Sequence, residues 1–268
     1  MSASALGRSR KHRHGRELLC EYVFRPLAHP VVLALAPLRV PPPVVAAASG
    51  AAGLGAAVEL ARGHLLQAAL LVQLKTVLDN ADGQLARLTG RTSAFGRYLD
   101  SELDLVVNAA LFAALGWTTG QPVAALAGFL ALTAVLSVNF NLERLYAAEH
   151  GGGRPAMPEG GGRATEALRR LYALVYEPQD RLVEVALEWR LRGRSPEERL
   201  AYHDSATVST LANLGMSTQL AAFGVLIAAG RPLDFVWLAL AELGLVAALV
   251  IRRESRLHTL ATPEQEAA

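Results

Sequence analysis

The chain has 268 residues, of which 52% are hydrophobic and 19% are charged, and its formal net charge at pH 7 is +2. Soluble domains of this size carry about a quarter charged residues, so the composition favours an integral membrane protein. The single cysteine, Cys20, excludes an internal disulfide and a multi-cysteine zinc site, and we expect it to be an inert apolar contact. Aromatic residues make up only 6%, so we expect no nucleic-acid partner.

The N-terminal segment is basic at residues 8–13, and charged residues continue through residues 16–25. A signal peptide needs an apolar core in this position, so we expect the segment to be retained. Three prolines interrupt the apolar run at residues 17–40, which favours an amphipathic helix on the cytoplasmic membrane surface over a span. Residues 1–41 are therefore predicted to be a cytoplasmic N-terminus with an interfacial helix.

Six long apolar stretches follow, and a hydrocarbon core about 30 Å thick needs roughly 20 residues of helix to cross it. Gly50, Gly53 and Gly55 in the first stretch would let a neighbouring helix approach closely. We expect an all-α catalytic domain of six transmembrane helices over residues 42–253 and a cytoplasmic tail over 254–268. The six predicted spans are residues 43–61, 65–88, 99–119, 122–146, 206–229 and 232–251.

Basic residues predict the orientation of these spans. With the N-terminus inside, 23 of the 26 Lys and Arg residues fall on the cytoplasmic side, and only Arg62 and Arg231 fall outside. The preference for Arg over Lys, together with abundant Ala and Gly, suggests a prokaryotic genome. We therefore expect a multi-pass protein of the inner or plasma membrane, with both termini and the active site cytoplasmic.

A long cytoplasmic segment, residues 147–205, separates the fourth and fifth spans. Glycine triplets at 151–153 and 160–162 predict a flexible linker. Residues 165–192 mix apolar side chains with Arg and Glu, which favours a helix at the water boundary. Asp204 precedes the fifth span and is predicted to be its N-cap.

Acidic residues form a stripe on each of the second and third spans. Spacings of three and four residues place such side chains on one helical face, and a short turn joins the two helices. Two acidic faces on neighbouring helices can converge on one site. The stripes are Asp79, Asp82, Gly83, Ala86 and Arg87 on the second span, and Gly96, Asp100, Asp104 and Asn108 on the third.

Burying these carboxylates requires cations. An aspartate at the membrane centre costs about 2.5–3.5 kcal/mol on insertion scales, and several aspartates packed together also repel one another. Arg87 alone cannot neutralise four carboxylates, whereas bound divalent ions can. Oxygen ligands without convergent Cys or His favour Mg²⁺ or Mn²⁺ over Zn²⁺.

The pattern from Asp79 to Asp104 reads D-x₂-D-G-x₂-A-R-x₈-G-x₃-D-x₃-D. It resembles the signature of the CDP-alcohol phosphotransferase (CDP-alcohol phosphatidyltransferase) family at every defined position. The resemblance implies that a phosphatidyl or related phospho-alcohol group moves from a CDP-linked donor, with CDP-diacylglycerol expected, to an alcohol acceptor. CMP is released, and the reaction belongs to phospholipid biosynthesis. The resemblance further implies membrane lipid as a partner and a homodimer.

The resemblance also implies a role for each position. Asp104 would be the general base that takes the proton of the acceptor hydroxyl. Gly83 and Ala86 would leave room for the cytidine, and Arg87 would contact the diphosphate. Gly96 would permit close approach of the helices. The implied ligands of one or two metal ions, with two expected, are Asp79, Asp82, Asp100 and Asp104. The implied CDP-binding residues are Asp79, Gly83, Ala86, Arg87 and Gly96.

Lys75, Arg91 and Arg144 are candidates for contact with the acceptor, which is a small alcohol or a phosphorylated alcohol. Lys75 can instead hold the resting metal site or form a plain i,i+4 pair with Asp79. The arginines can simply follow the positive-inside bias. Alternative functions are a cation or proton transporter that uses the intramembrane carboxylates, a CDP-lipid pyrophosphatase with water as acceptor, and a non-catalytic membrane scaffold.

Overall fold

A computed structural model of the chain describes residues 15–151 and 161–261, with side chains to residue 257. The basic run at 8–13, most of the predicted glycine linker and the end of the predicted tail lie outside these residues. Every regular element in the described ranges is helical, and no strand occurs there. The predicted all-α class is confirmed.

A π-helical turn, Cys20–Phe24, opens the described fold and is followed by α-helices numbered in chain order. The helices are α1 (Arg25–Leu35), α2 (Pro42–Ala61), α3 (Leu65–Thr89), α4 (Ala94–Thr119), α5 (Pro122–Glu149), α6 (Arg163–Val175), α7 (Glu177–Arg190), α8 (Pro196–Tyr202), α9 (Ser205–Ala212), α10 (Met216–Ala228) and α11 (Asp234–Ala261). Helices α6 and α7 occupy the region predicted as a single interfacial helix, and they meet at Tyr176.

A tight turn joins α3 to α4. Gly90 adopts a left-handed conformation with φ +67° and ends α3, because glycine enters this region without a Cβ penalty. Ser93 then caps α4, since its side-chain oxygen accepts the N–H of Gly96 at 3.1 Å. This turn reverses the chain, so the acidic segments of α3 and α4 come together while α2 packs against both helices.

Helix α2 packs against both α3 and α4 through its glycines. A Cβ at Gly50 would lie 2.8 Å from Leu103 Cδ2, and one at Gly53 would collide with Val107. The predicted close approach is therefore confirmed at Gly50 and Gly53. At Gly55 the nearest neighbour of an added Cβ would lie at 3.6 Å, which is an ordinary contact.

The predicted fifth span is broken into α9 and α10, so the expectation of one helix over 206–229 is wrong at residues 213–215. The Asn213 side chain donates to Ser209 O of α9 at 2.9 Å and to Arg16 O at 3.1 Å, and it accepts from Leu18 N at 3.0 Å. These bonds satisfy polar groups at the break, which a membrane interior requires. The Asp204 N-cap is confirmed, since its carboxylate accepts the Thr207 N–H at 3.0 Å.

Four described stretches are long and apolar enough to cross a membrane. One of them runs through α8, α9 and α10, and the others lie in α2, α5 and α11. Helices α3 and α4 have the length but also carry the acidic stripes, so their composition does not mark them as spans. The four stretches are Pro42–Ala61, Pro122–Glu149, Pro196–Ala228 and Asp234–Leu257.

Candidate active site

The acidic faces of α3 and α4 meet near the turn that joins the helices. Asp79, Asp100 and Asp104 each offer a carboxylate oxygen, and these three oxygens lie within 4.8 Å of one another. Asp79 comes from α3 and the other two come from successive turns of α4. The predicted convergence of two acidic faces is therefore observed.

Lys75 lies beneath these carboxylates and is 2% exposed. Its ammonium donates to Asp79 Oδ1 at 2.7 Å and also to Asp104 Oδ1. The contact with Asp79 is the i,i+4 pair that the sequence suggests, whereas the contact with Asp104 joins α3 to α4. Such burial leaves Lys75 little access to an incoming acceptor.

Asp82 stands apart from the other three aspartates. It shares the face of Asp79 on α3 but does not belong to the group of mutually close ligand atoms. It is 9% exposed, and its Oδ2 is buried without a hydrogen-bond partner among the described residues. A buried carboxylate oxygen without a partner costs free energy unless a ligand or cation reaches it.

Arg87 and Gly83 lie together on α3. A Cβ built at Gly83 would be 3.1 Å from an Arg87 guanidinium nitrogen, so the glycine leaves room for that guanidinium. Ala86, one position before Arg87, is half-buried. A Cβ built at Gly96 would lie 3.3 Å from Ser93 Oγ, which is a tight contact, and 3.6 Å from Pro43 Cγ, which is an ordinary one.

The two candidate arginines for the acceptor hold structural contacts. Arg91 is exposed and donates to the carbonyl of Arg39 at 3.1 Å. Arg144 donates to Asn141 Oδ1 at 3.0 Å and lies 3.5 Å from a carboxylate oxygen of Glu184 on α7.

An aromatic wall beside the site was missed from the sequence. The ring of Tyr172 lies edge-on to Tyr98 at a centroid distance of 5.3 Å and stacks on Tyr176 at 4.8 Å. The Tyr176 hydroxyl donates to the carbonyl of Ser101, between Asp100 and Asp104, at 3.0 Å. Burial raises the pKa of Tyr176 above its usual range, so the phenol stays protonated and keeps this bond. The i,i+4 spacing of Tyr172 and Tyr176 was the available signal.

The prediction that Cys20 makes an apolar contact is wrong. Its thiol donates to Asn80 Oδ1 at 3.1 Å, and the Asn80 amide donates to Ser217 Oγ at 3.2 Å. These bonds tie α3, next to Asp79, to the start of α10.

The cluster fits a divalent metal ion. All of its donors are carboxylate oxygens, which hard cations prefer. Three of the carboxylates lie close together, and the unpartnered oxygen of Asp82 offers a further acceptor. The arrangement can hold a metal ion and, through it, a phosphorylated ligand.

The fold and the site define a helical membrane protein with a carboxylate centre suited to a metal. The family model for CDP-alcohol phosphatidyltransferase matches residues 30–186, more than half of the chain, and the chain belongs to this family.

Curated relatives match shorter stretches. The chain is 39% identical over 82 residues to a "Bifunctional IPC transferase and DIPP synthase" of Thermococcus kodakarensis, covering 30% of this chain and 19% of the relative. It is 35% identical over 92 residues to a "Phosphatidylinositol phosphate synthase" of Corynebacterium glutamicum, covering 34% of this chain and 42% of the relative. The chain therefore spans less than half the length of these relatives. No solved structure matches it.

Proposed function

We propose that the chain transfers a phosphatidyl group from CDP-diacylglycerol to the hydroxyl of an alcohol, with release of CMP. The observation that carries this proposal is the group formed by Asp79, Asp100 and Asp104, whose ligand oxygens lie within 4.8 Å. Family membership supports the CDP-linked donor. We propose Mg²⁺ or Mn²⁺, two ions per site, as the cofactor.

Bound metal would neutralise the charge of the donor's diphosphate, with Asp79, Asp82, Asp100 and Asp104 as its ligands. Arg87, held over Gly83, would contact the same diphosphate, and Ala86 and Gly96 would border the cytidine. The protein's task is then to position the donor and neutralise charge, which is most of what phosphoryl transfer needs.

Asp104 is proposed as the general base. The acceptor oxygen forms a bond to the phosphatidyl phosphorus, and the bond from that phosphorus to the bridging oxygen of CMP breaks. The hydroxyl proton passes to Asp104, and CMP leaves. Because Lys75 binds Oδ1 of Asp104, the second oxygen of this carboxylate is the one left for the proton.

A phosphorylated polyol is the acceptor we propose, and inositol phosphate is the first member of that class to test. The name of the Corynebacterium glutamicum relative supports this class. The aromatic wall supports it too: burial raises the pKa of Tyr172, while the charges of Arg97 and Arg144 oppose the rise, so both arginines act near this ring. Arginine suits phosphate recognition.

The proposed membrane arrangement has six spans: α2, α3, α4, α5, the pair α9–α10, and α11. Four apolar stretches support it, and the carboxylate faces of α3 and α4 explain why these two helices do not look like spans. The π-turn with α1 and the pair α6–α7 are proposed to lie at the cytoplasmic surface. Both termini and the site face the cytoplasm, and two copies form a homodimer.

The test is a CMP-release assay with the purified full chain in lipid nanodiscs. It combines CDP-diacylglycerol and Mg²⁺ with inositol phosphate, inositol, glycerol 3-phosphate, serine or no added alcohol. We expect CMP only with an alcohol, and most with inositol phosphate. Asp104→Asn should lower the rate by about 10²–10⁴-fold, the usual contribution of a general base.

Other outcomes select the alternatives. CMP release without added alcohol indicates a pyrophosphatase that uses water. Cation flux into sealed vesicles without any CMP indicates a transporter. An Asp104→Asn variant with the wild-type rate removes the assignment of that residue as the base.

A further inference from the structure

The Lys75 side chain lies in the interior of the fold and not on its surface. Its side chain is 2% exposed, and its stem passes Gly53 of α2, where an added Cβ would lie 3.2 Å from Lys75 Cγ. Ser49, one turn earlier on α2, donates to the backbone carbonyl of Lys75 at 3.1 Å. The small residues on this face of α2 therefore leave a space beside the helix, and the Lys75 side chain fills it.

The ammonium of Lys75 engages the same carboxylates that the metal requires. It donates to Oδ1 of Asp79 at 2.7 Å and to Oδ1 of Asp104, and this pair of bonds links α3 to α4. A carboxylate has two oxygens, so one oxygen of each aspartate remains available. An ordinary i,i+4 pair on the surface of one helix would not make this contact with a second helix.

We propose that Lys75 is a resident counter-ion and positioning residue, which holds Asp79 and Asp104 together before metal binds and weakens the binding of the divalent ion. The inference rests on the metal site of the proposed function. Without metal, the ammonium offsets repulsion among the acids. With metal, the same fixed charge repels the incoming ion.

Two opposing effects decide what removal of Lys75 does to metal affinity. Repulsion between a buried ammonium and a dication about 5–6 Å away that share ligands weakens binding by on the order of 10⁴–10⁵-fold at an effective dielectric of about 20. Loss of a residue that positions the ligands costs about 10–100-fold in affinity. The repulsion is larger, so the neutral variant should bind metal at least about 100-fold more tightly.

The experiment titrates Mn²⁺ into the purified full chain in nanodiscs, without substrate, and counts free Mn²⁺ by electron paramagnetic resonance. Lys75→Met should bind Mn²⁺ at least about 100-fold more tightly than wild type. Its unfolding temperature without metal should fall, and saturating Mn²⁺ should raise that temperature by more than it does in wild type. Arg62→Gln removes one positive charge from an exposed position and should bind as wild type does.

Lys75→Gln, which keeps a hydrogen-bond donor, should change affinity in the same direction and decides the matter if Lys75→Met does not fold. A Lys75→Met chain that folds only in Mn²⁺ supports the counter-ion role. Wild-type or weaker affinity in Lys75→Gln overturns the proposal. Because binding is measured without substrate, wild type that binds Mn²⁺ but releases no CMP contradicts the proposed function and leaves the role of Lys75 standing.

Discussion

Two regions of the molecule bury charge, and they differ in how completely that charge is matched. At the end of α11, Arg253 is 2% exposed and donates to the Tyr202 carbonyl at 2.7 Å. Its guanidinium also lies 3.1 Å from His203 Nδ1 and 4.1 Å from the Tyr202 ring centroid. In the α3–α4 site, by contrast, a buried Asp82 oxygen has no partner among the described residues.

This difference distinguishes buried charges that stabilise the fold from buried charges that serve a function. A buried network whose donors all meet acceptors stabilises one conformation and needs nothing else. A cluster with more carboxylates than cations carries uncompensated negative charge, and a divalent ion can neutralise it. Variants of the two regions should therefore affect different quantities: activity in the acidic site and folding stability in the Arg253 network.

The largest effect is expected for Asp100→Asn. Loss of a metal ligand removes several kcal/mol of charge stabilisation, so CMP release should fall by about 10³-fold. Metal-free stability should stay the same or rise, because one of several repelling carboxylates has gone. Initial rates of CMP release and thermal unfolding in EDTA measure the two quantities. A large loss of metal-free stability would place Asp100 in the structural class instead.

The opposite pattern is expected for Arg253→Met. The variant leaves the Tyr202 carbonyl and His203 Nδ1 without their buried donor, which should cost roughly 2–3 kcal/mol of unfolding free energy. CMP release per folded molecule should stay unchanged. Chemical denaturation in detergent measures the stability.

The adjacent Arg252 is the matched control for Arg253. It is partly exposed and lies 3.3 Å from Asp204, so Arg252→Met should cost about 0.2–1 kcal/mol. Equal losses of unfolding free energy in the two variants would show that burial and hydrogen-bond pairing do not distinguish these arginines.

Gly53→Ala tests the close approach of α2 to α4. The added methyl group would collide with Val107 and lie 3.2 Å from the Lys75 stem, and overpacking of this kind costs about 1–3 kcal/mol. Gly244 in α11 has nothing within 4 Å of an added Cβ, so Gly244→Ala should stabilise by about 0.5–1 kcal/mol. Thermal unfolding of both variants gives the comparison, and similar shifts would contradict the packing argument.

Local sequence patterns predicted much of this structure. Long apolar runs bounded by proline or glycine marked α2, α3 and α5 to within a few residues, whereas α11 continues to Ala261, beyond the predicted end of its span at residue 251. The acidic faces of α3 and α4 converge because spacings of three and four residues put their members on one side of each helix.

Contacts between distant residues were beyond the reach of these patterns. The bond between Asn213 and Leu18 joins residues 195 positions apart, and no local signal announces it. For the same reason the sequence paired Lys75 with Asp79, its neighbour by one turn, and did not show Asp104 as a second partner. Asp82 shared the helical face of Asp79, but only the three-dimensional placement of α3 and α4 sets it apart from the other three aspartates.

A smaller effect than that of Gly53→Ala is expected at the break between α9 and α10, where Glu17 acts as a cap from another part of the chain. Its carboxylate accepts the N–H of Thr218 in the first turn of α10 at 2.8 Å, and Glu17 is 4% exposed. Glu17→Gln keeps an acceptor but loses the charge that the helix N-terminus favours, which should cost about 0.3–1 kcal/mol. Glu17→Ala also loses the cap and should cost about 0.5–2 kcal/mol. Thermal unfolding ranks the variants, and an alanine variant as stable as the glutamine variant would show that Glu17 does not cap α10.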